Sequence, residues 1–250
     1  MSSLASIPLA LQTDRAAAIL LDWDGCIATH DVPSDGAIAF LRGVADRVVI
    51  LSNNSTHLPQ DISIILAEKG VDIPAERVLL AGAQAILHLR ERNRTTMLLA
   101  STRIRAFARS VGLPLVRDKP EQVVLMRDTR FTYSKLRQVV TALHEGAHLV
   151  VANADRTHPG IGGRPVPETG ALLAAIEACL PNIEPEVLGK PGPMLFERAC
   201  ALLDARPEDT VMIGDNPDTD AKGAIALGIR SILIGSNTGL SLRDLARCSA

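Results

Sequence analysis

The run Ala16-Ala17-Ala18-Ile19-Leu20-Leu21 passes without a break into Asp22-Trp23-Asp24-Gly25. A continuous apolar run ending in an acidic turn suits a strand buried on both faces, whose carboxyl end opens onto a polar edge. The pattern recurs. Arg47-Val48-Val49-Ile50-Leu51 leads into Ser52-Asn53-Asn54-Ser55-Thr56, Thr210-Val211-Met212-Ile213-Gly214 leads into Asp215, and Ser231-Ile232-Leu233-Ile234-Gly235 follows. Between the runs lie helix-like stretches such as Pro59 to Gly70, with Ile62, Ile65, Leu66 and Lys69 at helical spacing and Gly70 as the stop. This alternation predicts an α/β protein with a doubly wound parallel sheet.

The middle of the chain has strands of its own. Thr95–Ala100, Gln122–Arg127 and Ala147–Asn153 read as strands, with helices near Thr102–Val111 and Tyr133–Glu145. The stretch from Asp155 to Gly170 is rich in Gly, Pro and polar residues and reads as one long loop. Residues 94–183 are therefore expected to form an inserted, smaller α/β domain, with residues 1–93 and 184–250 closing into one core.

Composition bounds the function. Hydrophobic residues make up 47% of the 250 and charged residues 22%, enough for a sizeable core and too apolar for wholesale disorder. Aromatic residues contribute only 2%, too few rings for a stacking platform, and the net charge of -2 offers no general attraction to a polyanion. No nucleic-acid partner is expected. No run of about 18 apolar residues occurs, so no membrane partner or span is expected either. The start, MSSLASIPLALQTDR, lacks the charged opening and long apolar run of a secretory signal. Cys26, Cys179, Cys200 and Cys248 show neither a disulfide framework nor zinc spacing, which fits reduced thiols in a cytoplasm.

Each polar strand end has a plain reading as well as a chemical one. Asp22-Trp23-Asp24-Gly25 suits an Asx turn. Gly214-Asp215-Asn216-Pro217-Asp218-Thr219-Asp220 suits a helix start decorated with acids. If both strands are central and parallel, however, Asp22 and Asp215 share one small volume with Asp24 and Asp220 close by. Carboxylates crowded this way call for a hard cation with room for waters, which describes Mg²⁺. Ser52-Asn53-Asn54-Ser55-Thr56 is either a capped helix start or a phosphate cradle of hydroxyls, amide and backbone N–H groups. Lys190, in Gly189-Lys190-Pro191-Gly192-Pro193, is either solvated or the counter-charge such a site needs. The four segments together, in this order and each at a strand end or a loop, favour the chemical reading.

At these four segments the sequence resembles the haloacid dehalogenase-like hydrolases, whose motifs match Asp22-Trp23-Asp24-Gly25, Leu51-Ser52-Asn53-Asn54, Gly189-Lys190-Pro191 and the run from Asp215 to Asp220. The segments SNNS, ANADRTHPG and PVPETGALLAAIEA resemble the NagD-type branch, in which a C2-type cap is inserted between the second and third motifs. Cys26 departs from the Thr or Val common after the motif glycine; its aliphatic setting argues for a packing role and against a nucleophile. Trp23 is expected to turn away from the acidic pair into packing.

The resemblance implies Mg²⁺-dependent hydrolysis of a small phosphorylated metabolite through an aspartyl-phosphate. It makes Asp22 the nucleophile and Asp24 the acid and base. Asp22, Asp24 (by its carbonyl) and Asp215 would hold the metal, and Ser52, Asn53 and Lys190 the phosphate, with Asp220 and Asn216 supporting them. In the cap, Asn153, Asp155, Arg156 and His158 are candidates for substrate contact, with Arg127 a further one. His158 equally suits a turn before Pro159. Aromatic residues are few in the cap, with Phe131 and Tyr133 the obvious rings, which favours a small aliphatic ester over a nucleotide. Homodimerisation through the cap is a further implication. Two other classes compete: a receiver-like domain, which needs neither the second aspartate nor an insert, and a catalytically retired phosphate-binding regulatory protein.

Overall fold

The computed structural model describes residue 13 and residues 16–160, 164–235 and 237–248. The chain divides into two compact units: residues 1–52, 59–79 and 190–250 form one, and residues 53–58 and 80–189 the other. Both units are of the mixed α/β class, each built on a parallel sheet.

Strand β1 is Ala18–Asp22, followed by the small antiparallel hairpin of β2 (Ala28–Thr29) and β3 (Val32–Pro33). Next come β4, Val48–Ser52, and β5, Val78–Leu80. The second unit contributes β6 (Thr96–Leu99), β7 (Gln122–Leu125), β8 (His148–Val151), β9 (Thr157–Pro159), β10 (Pro165–Pro167) and β11 (Glu186–Val187). The chain returns to the first unit with β12, Thr210–Gly214, and β13, Arg230–Leu233.

In the first unit the sheet order is β13-β12-β1-β4-β5, and β1 pairs parallel with both β12 and β4. Every residue of β1, β4 and β12 is buried, which is why these strands are apolar except at their ends and do not alternate. The helix Met194–Leu202 packs on β1 and β4, and the helices Asp35–Val44 and Leu242–Cys248 pack on each other. Ser34 caps the first of that pair by accepting from the Ala37 N–H at 3.1 Å. From β1 the chain runs to β4 and β5 on one side, and later fills the other side with β12 and β13. The sheet therefore reverses direction at β1, and open α/β sheets bind ligands at the carboxyl ends flanking such a point.

The second unit holds a parallel sheet of order β11-β8-β7-β6. Its core is aliphatic, with Leu99, Val123, Leu125, Leu149 and Val151 from the strands packed on Val139, Leu143, Leu173 and Ile176 from two helices. Phe131 packs against this core, whereas Tyr133 is 82% exposed.

One local expectation is corrected, and one further helix is added. The stretch Asp155–Gly170 is not one loop: β9 and β10 pair antiparallel, with His158 opposite Val166, and a helix starts at Thr169. Pro-rich strands carry few ladder donors, so their composition looks like loop until they find each other. A helix at Ala81–Arg92 also emerges where no helical period was read, its buried face made largely of Ala and Gly.

Candidate active site

The register of the first sheet places the polar ends of its strands at one level. Asp22 pairs with Leu51 across to β4, and Leu21 pairs with Ile213 across to β12. Ser52 and Asp215, one and two residues further along, thus leave the sheet beside Asp22. Two glycines make the crowding possible. Gly25 has φ +85 and a Cβ there would collide with Asp215 Oδ2; a Cβ on Gly214 would lie 2.5 Å from Asp220 Cγ.

Lys190 sits at the centre. It is 2% exposed, and its Nζ donates to Asp22 Oδ1 at 2.5 Å, to Asp220 Oδ1 at 2.6 Å and to the Leu51 carbonyl at 3.2 Å. Asp220 is held in turn: it lies in the π-helical turn Pro217–Ala221, and its Oδ2 accepts from the Asn216 N–H at 3.1 Å. Asn216 caps this turn by accepting from the Asp218 N–H at 2.9 Å. The Ser52 hydroxyl donates to Asp24 Oδ2 at 2.9 Å, joining the second strand end to the first.

Burial pushes the Asp22 carboxyl well above its usual range; Lys190 opposes this, and Asp220 and Asp24 add to it. Asp215 is raised as well, first by burial and then by Asp220. Burial alone would lower the Lys190 ammonium, but Asp22 and Asp220 more than reverse it, so the amine stays charged. Cys26 is raised by burial and by the nearby aspartates, and its Sγ faces the Ile213 carbonyl at 3.8 Å. It is a packed thiol. Trp23 is fully buried, with Nε1 3.4 Å from Asp31 Oδ1.

One ammonium does not balance this many carboxylates. Asp22, Asp215 and Asp220 each present an oxygen within 4.8 Å of the others. Oxygen-only donors at that spacing fit a hard divalent cation. Asp220 commits both oxygens, one to Lys190 and one to the Asn216 N–H, whereas Asp22 meets Lys190 through Oδ1, so Asp22 and Asp215 are the better placed of the three to hold it.

Residues 19–114 match the model of the haloacid dehalogenase-like hydrolases, and residues 187–246 match a second HAD-hydrolase-like model. The dihydroxyacetone phosphatase of Corynebacterium glutamicum is 31% identical over 87% of this chain and 80% of its own length. The chain belongs to the haloacid dehalogenase-like hydrolases. Within that family it is a phosphatase of the NagD type. The ribonucleotide monophosphatase NagD of Escherichia coli is 27% identical, covering 91% of this chain and 90% of the relative. The solved glycerol phosphate phosphatase of Mycobacterium tuberculosis in complex with magnesium is 28% identical, with a TM-score of 0.81 over 94% of this chain and 78% of that one.

The remaining candidates of this haloacid dehalogenase-like hydrolase gather in the second unit. Asn53, Asn153 and Asp155 meet there: Asn53 Nδ2 donates to Asp155 Oδ2 at 3.0 Å. Asn153 is 1% exposed and donates to the Asn53 carbonyl at 2.8 Å. Arg156 is exposed. His158 Nδ1 lies 2.7 Å from Glu168 Oε1, and Arg127 Nη1 lies 3.4 Å from the same oxygen. Burial raises the Glu168 carboxyl, partly offset by Arg127 and His158. Sequence reasoning passed over Glu168, because nothing short of the β9–β10 pairing shows that it closes on His158. Among the described residues no helix is long and apolar enough to cross a membrane.

Proposed function

We propose that this phosphatase hydrolyses a small phosphomonoester with Mg²⁺ through a phosphoryl group carried on Asp22. The observation that carries the reading is Lys190, buried between Asp22 and Asp220 at the sheet's reversal point, with Asp215 alongside. An Asp22 oxygen attacks phosphorus in line with the leaving oxygen, and the bond to that oxygen breaks as Asp24 protonates it. Asp24 then takes a proton from water, whose oxygen attacks phosphorus and returns Asp22 with release of orthophosphate. Asp22, Asp215 and the Asp24 carbonyl would hold Mg²⁺, which would supply charge neutralisation for the phosphoryl group. Lys190, the Ser52 hydroxyl and the Asn53 backbone N–H stabilise the same oxygens, and Asp220 and Asn216 keep Lys190 in place.

Residues 94–183 form the inserted cap, and residues 1–93 and 184–250 close into the catalytic core. Arg156 and His158 of the cap read the part of the ester beyond the phosphate. Relatives named for dihydroxyacetone and glycerol phosphates, together with few rings in the cap, favour a short polyol ester. The enzyme acts in the cytoplasm, and two copies associate through their caps, a state that light scattering on the purified protein would reveal.

Phosphate release from p-nitrophenyl phosphate, measured with Mg²⁺, with EDTA and after Asp22→Asn, tests the reading. Turnover is expected only in the first case; activity that survives both treatments would contradict it.

A further inference from the structure

Two residues of the second unit adjoin the catalytic ones directly: Asn53 is joined by a peptide bond to Ser52, and Gly189 to Lys190. Although far apart in sequence, they lie against each other. A Cβ placed on Gly189 would come within 2.6 Å of Asn53 Oδ1 and 2.5 Å of the Ala152 carbonyl oxygen, so only glycine permits this approach. Asn53 is fastened on two sides, its Nδ2 donating to Asp155 at 3.0 Å and its carbonyl accepting from Asn153 at 2.8 Å. Asn153 is fastened as well. Its amide also reaches Thr169 Oγ1 at 3.3 Å, and its Oδ1 accepts from the Asp155 N–H at 3.2 Å. A buried amide so fully engaged is poorly placed to meet a substrate, and its loss would leave unsatisfied groups in the interior.

We propose that Asn153 and Asp155 are positioning residues: they buckle Asn53 and Gly189 together, and so fix the adjoining Ser52 and Lys190 for phosphoryl transfer. The proposal rests on the phosphatase reading above. It gives this pair a task common to every phosphate ester, in contrast to Arg156 and His158. A catalytic group displaced by about 1 Å can cost a hundredfold in rate, so a buckle beside two such groups has leverage on turnover.

A donor–acceptor exchange tests it. Asn53→Asp sets two carboxylates against each other. Adding Asp155→Asn restores one donor and one acceptor across the same gap at the wild-type net charge. With p-nitrophenyl phosphate, kcat is expected to fall roughly tenfold to a hundredfold in Asn53→Asp and to recover most of that in the double exchange. The thermal midpoints of the three proteins should stay close together. A double exchange no more active than Asn53→Asp overturns the proposal, as does a loss of kcat that merely follows a falling midpoint.

Asp155→Ala supplies the second readout. Its kcat should drop by one common factor on p-nitrophenyl, glycerol and dihydroxyacetone phosphates. A loss confined to one ester would assign Asp155 to the leaving group and overturn the buckle. Calorimetric binding of orthovanadate reads the positioning without turnover: it should weaken in Asn53→Asp and return in the double exchange. A wild-type enzyme that binds orthovanadate in this pattern but hydrolyses none of the esters would break the phosphatase reading and support the buckle.

Discussion

Each unit contains a charged group set between two polar side chains: two carboxylates in the first unit, an imidazole and a guanidinium in the second. In the first, the Lys190 ammonium lies between Asp22 and Asp220 with side chains 2%, 7% and 1% exposed. In the second, the Glu168 carboxylate lies between His158 and Arg127 with side chains 15%, 32% and 26% exposed. Burial separates their uses. The dry triad has no water to fall back on, so its geometry is fixed and losing any member exposes the others to a heavy desolvation penalty. The wetter triad can be re-solvated, so its loss should be milder. On the proposed reading, rigid positioning serves the reacting phosphoryl group and the more adjustable triad serves a variable leaving group.

The largest expected effect comes from breaking the dry triad. Lys190→Met leaves two buried carboxylates without their ammonium and should destabilise the protein by about 3–5 kcal/mol. Turnover should also fall by roughly a hundredfold to a thousandfold, the usual cost of removing a group that stabilises the transition-state charge. Chemical denaturation and steady-state kinetics on the purified variant check both. A loss of stability no greater than that of an exposed ion pair would erase the contrast between the triads.

Glu168→Gln is the matching cut in the wetter triad. Its stability cost should be about 1 kcal/mol or less, and kcat/KM should change by about tenfold on a hydroxylated ester. The contrast sharpens if that change depends on the ester. It blurs if every ester loses the same factor.

How much of this was legible in the sequence follows from the same physics. Strands β1, β4 and β12 were readable because burial on both faces forces unbroken apolar runs, and their ends were readable because Asp22, Ser52 and Asp215 interrupt those runs at once. Lys190 was readable only in company, since its position between Asp22 and Asp220 is set by the sheet and not by its neighbours in sequence. Pairings across the second unit left no local trace. Asn53 with Asp155, and His158 with Glu168, depend on how β9 and β10 pair and on where the chain before β9 and after β10 comes to rest. The helix Ala81–Arg92 was hidden for another reason: an Ala- and Gly-rich buried face carries little hydrophobic contrast.

The smallest expected effect concerns an ion pair still nearer to solvent. Arg92 grips Glu186 with both nitrogens, at 2.6 and 2.5 Å, and holds its carboxyl at about 2, below the ordinary 4.5. A depressed carboxyl contributes stability that is complete above the unfolded value and lost as pH falls toward the folded one. The gap in thermal midpoint between wild type and Glu186→Gln should therefore be constant above about pH 5 and close between about pH 4.5 and pH 2. A gap that widened on acidification would reverse the sign assigned to this pair.

The central claim is that Asp22 carries the phosphoryl group while Asp24 handles the protons. Asp24→Asn separates these duties, because it spares the nucleophile and removes the base that frees it. The intact mass of Asp24→Asn, mixed with Mg²⁺ and p-nitrophenyl phosphate and quenched in acid, should show one added phosphoryl group, located on Asp22 by fragmentation. Full steady-state turnover by this variant with no adduct, or an adduct on any other residue, would contradict the account.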